Sequence, residues 1–335
     1  MEYRHLGRSG LRVSPLCLGT MMFGGQTDAP TAQRIVDKAA AAGVNFVDTA
    51  NAYNGGKSEE VTGAAIRATR HRWVLATKLA NPVGDSPNDR GTSRRHLLQA
   101  CEDSLRRLGT DHIDIYYLHK EDHDTPLSET VHALSDLVRA GKIRYFGVSN
   151  YRSWRVAEIC RLCDEAGMDR PVASQPYYHA LNRTAEVEHL PACRHLGLGV
   201  VTYSPLARGI LTGKYSGEMP ANDTRAGRGD KRMLEAEWRP ESLAMAQQVK
   251  AHAEVKGLTP VAFALGWVLN NRAVTAVIGG PRTEEQWDGY VAAVGRPFDA
   301  ADEALIDGLV PSGGSSTPGW IDPAYPVEGR YPVAR

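Results

Sequence analysis

Four side chains that could take part in chemistry lie at, or shortly after, the ends of apolar runs in this chain of 335 residues. They are a carboxylate, a phenol, an ammonium and an imidazole. Asp48 ends the apolar run "VNFVD", Tyr53 follows shortly after it, Lys78 ends "RWVLATK" and His119 ends "HIDIYYLH". A tyrosine is a poor acid at neutral pH, but a nearby ammonium favours its phenolate. Lys78 can give that help while Asp48 holds it in place, and His119 can hydrogen-bond a carbonyl oxygen beside the phenol. These residue types indicate a proton donor aimed at a carbonyl group.

A proton is half of what a carbonyl reduction requires, and the other half is a hydride. No side chain supplies a hydride, so the pattern implies a nicotinamide cofactor. The alternative for Asp48 and Lys78 alone is a purely structural ion pair, since buried pairs are also structural. The presence of Tyr53 and His119 favours the catalytic interpretation.

The elements that must position these residues alternate between short apolar runs and helical patterns. A hairpin is predicted over "YRHLGRSGLRVS", and strands over "PLCLGT", "VNFVD", "RWVLATK", "HIDIYYLH", "IRYFGVSN", "VASQ", "GVVTYS" and "VTAVIGG". Helices are predicted at 30–42, 58–69, 93–108, 127–140, 153–166, 185–196, 241–256, 260–270 and 283–293. Eight strands separated by helices indicate an α/β fold, a (β/α)8 TIM barrel, whereas a Rossmann fold would show G-x-G-x-x-G after its first strand.

No linker or shift in composition divides the chain. We therefore expect a single domain over residues 1–335, with the Gly- and Pro-rich tail after residue 310 forming a surface loop. Active sites of such barrels lie at the C-terminal ends of the strands. The predicted strands deliver there Gly19, Thr20, Asp48, Lys78, His119, Ser149, Asn150, Gln175, Tyr203, Ser204, Gly279 and Gly280. So many polar and glycine ends predict one continuous binding site.

Several segments along the chain are similar to those of a known family. They are "FVDTANAYNGGKSEEVTG", "VLATK", "IDIYYLH", "IRYFGVSN", "QPYY", "TYSPLARGILTGKY" and "VIGGPRTEEQ". In this order they resemble the aldo-keto reductase superfamily over nearly the whole chain. The resemblance implies a barrel enzyme that binds NADPH/NADP⁺ across the strand ends, and it assigns Asp48, Tyr53, Lys78 and His119 as the catalytic tetrad. It also implies reversible reduction of an aldehyde, ketone or keto-sugar-like substrate.

The same resemblance implies the residues that contact the cofactor. The nicotinamide carboxamide is assigned to Ser149, Asn150 and Gln175, and stacking on its ring to Tyr203. Arg282 and Gln286 are assigned to the adenosine end, where a guanidinium suits a 2′-phosphate and favours NADPH over NADH. The loop over the pyrophosphate is assigned to Ser204, Pro205, Leu206, Arg208 and Gly209, with Lys214 and Arg225. Gly19, Thr20, Met21, Asp48, Gly279 and Gly280 complete the predicted cofactor-binding set.

Two positions depart from the pattern of the superfamily. Tyr290 stands where an asparagine commonly faces the adenine, and Gly279 stands where a proline is frequent. The segment "GGKSEE" and the long stretch after Tyr203 resemble bacterial reductases related to potassium-channel β-subunits. An NADPH-binding, redox-sensing regulatory subunit is thus the alternative to an enzyme. Such a subunit would normally carry an added interaction segment, and because the first hairpin begins at residue 2 we expect an enzyme.

The composition limits the classes of partner. Lysine plus arginine equal aspartate plus glutamate at 39 each, so no global field attracts nucleic acid or an anionic membrane. No apolar run is long enough to cross a membrane, and the N-terminus lacks a signal core, which predicts a cytoplasmic protein with a small-molecule partner. The 5 cysteines are thinly spread, so Cys160 and Cys163 are expected to pack on a helix rather than to bind metal.

Two further motifs resemble a phosphate-binding loop and a metal site. Gly56, Lys57 and Ser58 match the end of a Walker A pattern, but Asn51 replaces its first glycine, so Ser58 is instead expected to cap a helix. His119 and His123 are spaced like metal ligands. They are predicted in a loop, where that spacing does not bring both imidazoles to one face, so no metal site is expected.

Overall fold

The computed structural model describes residues 1–217 and 224–326. These residues form two compact units. The first, here called the barrel unit, comprises Met1–Tyr177, Glu188–Tyr203 and Leu269–Val294. The second unit contains the described parts of Tyr178–Val187, Ser204–Val268 and Gly295–Arg335. The expectation of a single domain over 1–335 stays a prediction, and residues 327–335 of the predicted tail lie outside the described residues.

A closed barrel of eight parallel strands forms the centre of the barrel unit. Its strands are β3 (Leu16–Gly19), β4 (Phe46–Asp48), β5 (Val74–Leu79), β6 (Ile113–Leu118), β7 (Ile143–Ser149), β8 (Ala173–Gln175), β9 (Gly199–Thr202) and β10 (Ala276–Gly279). They pair in chain order, and β10 closes the barrel against β3. The (β/α)8 fold is therefore confirmed, and the strand ends expected to carry the chemistry meet at one rim.

Strand pairing sets the position of the residues at that rim. Asp48 pairs with Gly19 on one side and with Ala76 on the other. Ser149 pairs with Gln175 at the ends of β7 and β8. Because neighbouring parallel strands end together, these side chains reach the same layer without any long loop to carry them.

A short hairpin closes the opposite end of the barrel. Its strands are β1 (Arg4–His5) and β2 (Arg12–Val13), paired antiparallel as predicted. Leu6 and Val13 are fully buried in the core cluster that also contains Val74 and Val172 from the strand starts. The loop approaches the barrel so closely at Gly7, where φ is +58°, that an added Cβ would lie 2.6 Å from the carbonyl oxygen of Gly197. The hairpin thus seals the barrel with apolar side chains and closely packed backbone.

The helices follow the strands at nearly the predicted positions. They are α1 (Ala29–Ala41), α2 (Lys57–Ile66), α3 (Arg94–Leu108), α4 (Leu127–Arg139), α5 (Ser153–Glu165), α6 (His189–Leu196), α7 (Lys231–Ala236), α8 (Pro240–Val255), α9 (Pro260–Asn270), α10 (Glu284–Ala293) and α11 (Ala300–Leu309). The sequence analysis missed α7 and α11. It also extended the helix from residue 58 to 69, where the structure turns into a 3-10 helix at Arg67–Arg72.

The two cysteines of α5 are packing residues, as predicted. Cys160 and Cys163 are both buried and neither forms a disulfide. Burial raises the pKa of Cys160 to about 11 and that of Cys163 to about 12. Both thiols therefore stay protonated at neutral pH, and a thiol in that state is a poor nucleophile and a poor metal ligand.

In the second unit, ion pairs and ring contacts hold the segment after residue 310. Arg232 forms a bidentate ion pair with Asp322, in which the two guanidinium nitrogens lie 2.9 and 2.5 Å from the two carboxylate oxygens. The guanidinium of Arg239 lies 4.1 Å from the ring centroid of Trp320. The described part of the predicted surface loop, residues 311–326, is thus anchored through Asp322 and Trp320.

Candidate active site

A buried ion pair lies near the C-terminal ends of β4 and β5. Lys78 on β5 is fully buried and Asp48 at the end of β4 is 3% exposed. The ammonium of Lys78 donates to Oδ1 of Asp48 and, at 2.7 Å, to the carbonyl oxygen of Thr49. The amide of Gln175 donates to the other carboxylate oxygen, Oδ2, at 3.0 Å. Both charges are therefore compensated by direct hydrogen bonds, which a buried pair requires.

The same ammonium faces the phenol of Tyr53. Tyr53 begins a 3-10 helix, Tyr53–Gly56, directly after the loop that follows β4. The Nζ atom of Lys78 lies 3.4 Å from the Tyr53 hydroxyl and 5.0 Å from its ring centroid. Burial alone would lower the pKa of Lys78, but the attraction of Asp48 and Tyr53 outweighs it and the pKa is raised. The lysine thus stays charged beside the phenol at neutral pH.

His119 also lies beside that phenol. Its ring meets the ring of Tyr53 edge to face, with centroids 5.7 Å apart and planes at 81°. Its backbone nitrogen donates to the carbonyl oxygen of Leu79 at 2.9 Å, and its own carbonyl oxygen accepts from the Asn150 amide at 3.0 Å. The Nδ1 atom of its ring lies 3.0 Å from Nδ2 of Asn81. The contacts with Leu79, Asn150 and Asn81 together fix the position of the imidazole.

The charge state of His119 follows from its surroundings. Removal of the ring from water lowers its pKa well below the ordinary value, and the positive charges of Lys78 and Lys120 lower it further. The imidazole is therefore neutral at physiological pH. A neutral imidazole offers one donor and one acceptor nitrogen, so the position of its single proton decides what it can do.

A row of amide and hydroxyl groups continues along the rim from the ion pair. Ser149 donates to the carbonyl oxygen of Gln175 at 2.9 Å, and the Asn150 amide donates to Ser149 at 3.1 Å. The Tyr203 hydroxyl donates to Oδ1 of Asn150 at 2.7 Å. The ring of Tyr203 is partly exposed and lies 5.5 Å from that of Tyr177. This set offers the polar groups and the aromatic face that a nicotinamide carboxamide and ring need, so the residues fit that cofactor.

Residues at the ends of β3 and β10 occupy the next part of the rim. Thr20 is buried, and its backbone nitrogen donates to the carbonyl oxygen of Asp48 at 2.9 Å. Gly19 is buried, while Met21 and Gly280 are exposed. A Cβ on Gly279 would lie 3.1 Å from Cγ of Tyr290. The two departures from the superfamily pattern are thus packed against each other, since the tyrosine ring lies where a larger residue at 279 would project.

Arg282 and Gln286 flank the start of α10. The side-chain oxygen of Gln286 accepts from the backbone nitrogen of Arg282 at 2.8 Å, and the carbonyl oxygen of Arg282 accepts from Thr27 at 3.0 Å. The nearby acidic residue Glu284 is paired with Arg34 at 2.6 Å. The loop is therefore fixed through its backbone, which leaves the partly exposed Arg282 guanidinium available for an anion.

The predicted pyrophosphate loop belongs to the second unit and is described by itself. Three non-glycine residues of the segment 204–209 have a positive φ, namely Ser204 at 59°, Ala207 at 46° and Arg208 at 52°. Nε of Arg208 lies 3.8 Å from the fully buried carboxylate of Glu237. Arg225 pairs with Asp230 at 2.8 Å. The residues of this loop are Ser204, Pro205, Leu206, Arg208, Gly209 and, further along the chain, Lys214 and Arg225.

Sequence reasoning missed the role of Ser58, which links the chain segments that follow β3 and β4. Ser58 is not the helix cap that was expected: Gly56, with a φ of 91°, occupies that place. The Ser58 hydroxyl instead donates to the carbonyl oxygen of Thr20 at 2.7 Å and lies 2.8 Å from the hydroxyl of Thr49. The capping prediction was wrong because it rested on local sequence, whereas the partners of Ser58 come from two strand ends.

Two findings concern metal binding and membrane spans within residues 1–217 and 224–326. Over those ranges, no group of three or more His, Cys, Asp and Glu residues is arranged to hold a metal ion. Among the helices that they form, none is long and apolar enough to cross a membrane. The cytoplasmic location stays a prediction.

The rim of this barrel holds a buried lysine–aspartate pair beside a tyrosine and a neutral histidine, and comparison with known proteins gives the family of the chain. The model of the Aldo/keto reductase family matches residues 15–311. The chain belongs to this family, whose members generally use nicotinamide cofactors and act on small-molecule carbonyl substrates. It is thus an oxidoreductase by family.

The similar proteins carry two kinds of name. The chain is 40% identical over 331 residues to a Bacillus subtilis (strain 168) protein named "Uncharacterized oxidoreductase YrpG", covering 95% of this chain and 98% of that protein. It is 36% identical over 292 residues to a "Probable voltage-gated potassium channel subunit beta" of Oryza sativa subsp. japonica, covering 85% and 89%. A protein of the same name from Arabidopsis thaliana is 35% identical over 300 residues, covering 88% and 91%.

The burial of the ion pair leads to a prediction about stability. Lys78→Met should reduce the free energy of unfolding by about 3–5 kcal/mol, because it leaves the Asp48 carboxylate buried without its cation. The double variant Asp48→Asn, Lys78→Met buries no charge and should lose less than Lys78→Met alone. Lys38→Met, which breaks the exposed pair with Asp288, is the control and should cost at most about 1 kcal/mol. Urea unfolding measures these three variants and Asp48→Asn alone, and a double variant that loses the sum of the two single losses would contradict the pairing.

Proposed function

We propose that this protein is an NADPH-dependent carbonyl reductase that works reversibly on an aldehyde, ketone or keto-sugar-like substrate. The observation that carries the proposal is the position of the Lys78 ammonium, which binds Asp48 and lies 3.4 Å from the Tyr53 hydroxyl. A cation held at that distance stabilises the phenolate that remains when tyrosine gives up its proton. Tyr53 is the proton donor in this proposal.

The four residues of the tetrad then have separate tasks. Tyr53 transfers its proton to the carbonyl oxygen of the substrate, and Lys78 stabilises the resulting phenolate. Asp48 keeps the ammonium in place, and His119 hydrogen-bonds the same carbonyl oxygen and orients it. When bound, the nicotinamide cofactor supplies the hydride to the carbonyl carbon. In the reverse direction the phenolate accepts the proton of the alcohol.

The cofactor is proposed to lie along the rim. Ser149, Asn150 and Gln175 would hold the carboxamide, and Tyr203 would pack against the nicotinamide ring. Gln175 can do so through its oxygen, because its nitrogen donates to Asp48. The proposed pyrophosphate contacts are the loop residues Ser204, Pro205, Leu206, Arg208 and Gly209 with Lys214 and Arg225, and the remaining rim contacts are Gly19, Thr20, Met21, Gly279 and Gly280. Arg282 and Gln286 would meet the adenosine end.

A second candidate function is a redox-sensing regulatory subunit. The observation in its favour is the name of the two plant relatives, each called a probable potassium channel subunit beta. Both candidates bind the cofactor, so binding alone does not separate them. The consumption of NADPH with a panel of aldehydes, ketones and keto-sugars, beside the reverse panel of alcohols, distinguishes them, because a regulatory subunit without turnover would show none.

Removal of one oxygen atom tests the proton donor. Tyr53→Phe should lower turnover by at least about 10²-fold, as expected for loss of a general acid, while NADPH affinity changes by no more than about threefold. Steady-state kinetics and cofactor titration by fluorescence measure the two effects. Turnover close to that of the wild-type protein would remove Tyr53 from the role.

The preference for NADPH is tested at the end of β10. Arg282→Ala should weaken NADPH about 10- to 150-fold and NADH much less, because a charge-assisted contact to the 2′-phosphate is worth about 1.5–3 kcal/mol. Arg272→Ala is the matched control, since Arg272 is exposed and precedes the start of β10, whereas Arg282 follows its end. The measurement is the dissociation constant of NADPH and of NADH for the wild-type protein and both variants. Equal losses for NADPH and NADH in Arg282→Ala would place this guanidinium elsewhere.

A further inference from the structure

An asparagine outside the tetrad contacts the ring of His119. Asn81 lies two residues beyond the end of β5, and its Nδ2 atom is 3.0 Å from Nδ1 of His119. An amide nitrogen carries hydrogens and no available lone pair, so it can only donate in this contact. Nδ1 of His119 must then accept, and the single proton of the neutral imidazole must stand on Nε2.

We infer that Asn81 is a positioning residue that fixes His119 in the tautomer with its proton on Nε2. The inference rests on the proposed function for its consequence, since that nitrogen is the one left to meet the carbonyl oxygen of a substrate. An imidazole with its proton on Nδ1 would turn a lone pair towards the carbonyl oxygen instead. Asn81 therefore decides whether His119 assists the proton donor or repels the substrate.

The backbone before Asn81 supports a dedicated role. Ala80 is buried and has a φ of 105°, a conformation that residues other than glycine rarely adopt. Its carbonyl oxygen accepts from the backbone nitrogen of Gly91 at 2.9 Å, which pins the loop in place. Strained residues of this kind persist where the surrounding structure enforces them, often beside functional sites. The strain at Ala80 sets the direction in which the chain presents Asn81.

The groups around His119 keep it in the neutral state on which the inference depends. Lys78 faces it from β5 and Lys120 follows it in the chain, and both positive charges oppose protonation of the ring. Tyr53 meets its edge and is uncharged until it gives up its proton. Asp48, the nearby carboxylate, is occupied by Lys78 and Gln175. None of these neighbours is a free carboxylate that could stabilise an imidazolium. His119 therefore stays neutral, and the position of its single proton determines which nitrogen can donate.

The tautomer can be observed directly by ¹⁵N NMR of the protein labelled at histidine. The resonances of His119 are assigned by their loss in His119→Gln. We expect a pyridine-like shift at Nδ1 and a pyrrole-like shift at Nε2 in the wild-type protein at pH 8. The reverse pattern would mean that the asparagine accepts from Nδ1–H through its oxygen, and it would overturn the inference. This measurement needs neither substrate nor turnover.

A replacement of the donor by an acceptor tests the role in the reaction. The carboxylate of Asn81→Asp can only accept, so it should draw the proton to Nδ1 and lower turnover at pH 8 by at least about tenfold. Turnover should recover towards pH 6, because the carboxylate favours an imidazolium with hydrogens on both nitrogens. Asn88→Asp makes the same chemical change at an exposed position and should leave turnover and pH profile unchanged.

The two experiments separate this inference from the proposed function. A pyrrole-like Nε2 in a protein that reduces no carbonyl would support the role of Asn81 and reject the reductase. Carbonyl reduction with unchanged tautomer and pH profile in Asn81→Asp would support the reductase and reject the role of Asn81. If Asn81→Asp does not fold, the spectrum of the wild-type protein still decides.

Discussion

The rest of the site depends on one interaction, the ion pair between Lys78 and Asp48 inside the barrel. An ammonium with no exposed surface persists only if its charge is compensated, and Asp48 and the Thr49 carbonyl do so directly. The carboxylate needs a second donor, which Gln175 supplies. Once these groups are in place, the position of the ammonium is fixed, and the phenol of Tyr53 must meet a positive charge.

The surrounding rim serves to keep that arrangement rigid. Ser58 joins the loops after β3 and β4 through its hydroxyl, while Asn150 joins the end of β6 to that of β7. Backbone strain at Ala80 is localised beside the same rim. The phenol, the ammonium and the imidazole come from three separate chain segments whose backbones are fixed by hydrogen bonds, so little reorganisation is needed when charge moves between them.

Much of this could be predicted from the sequence, because a barrel places the ends of its strands at one rim. Once eight strands were recognised, the positions of Asp48, Lys78 and His119 followed from counting. The supporting residues could not be predicted in this way. Ser58 resembled a helix cap, and Asn81 lay in a loop without periodicity, since both act through partners distant in sequence. Helix α7 was missed because it has only 6 residues in a charged segment, whereas α11 was missed although Leu305, Ile306 and Leu309 recur at helical spacing after the capping residue Asp299.

The central claim is that the Lys78 ammonium makes Tyr53 a usable acid, and ionisation of the phenol tests it most directly. Tyrosine labelled with ¹³C at Cζ reports ionisation by NMR, and the Tyr53 signal is assigned by its absence in Tyr53→Phe. We predict that Tyr53 titrates below pH 10, the value of a free tyrosine being about 10, and that Lys78→Met moves its midpoint upward by at least about one pH unit. A midpoint at or above that of free tyrosine, unchanged in Lys78→Met, would contradict the account.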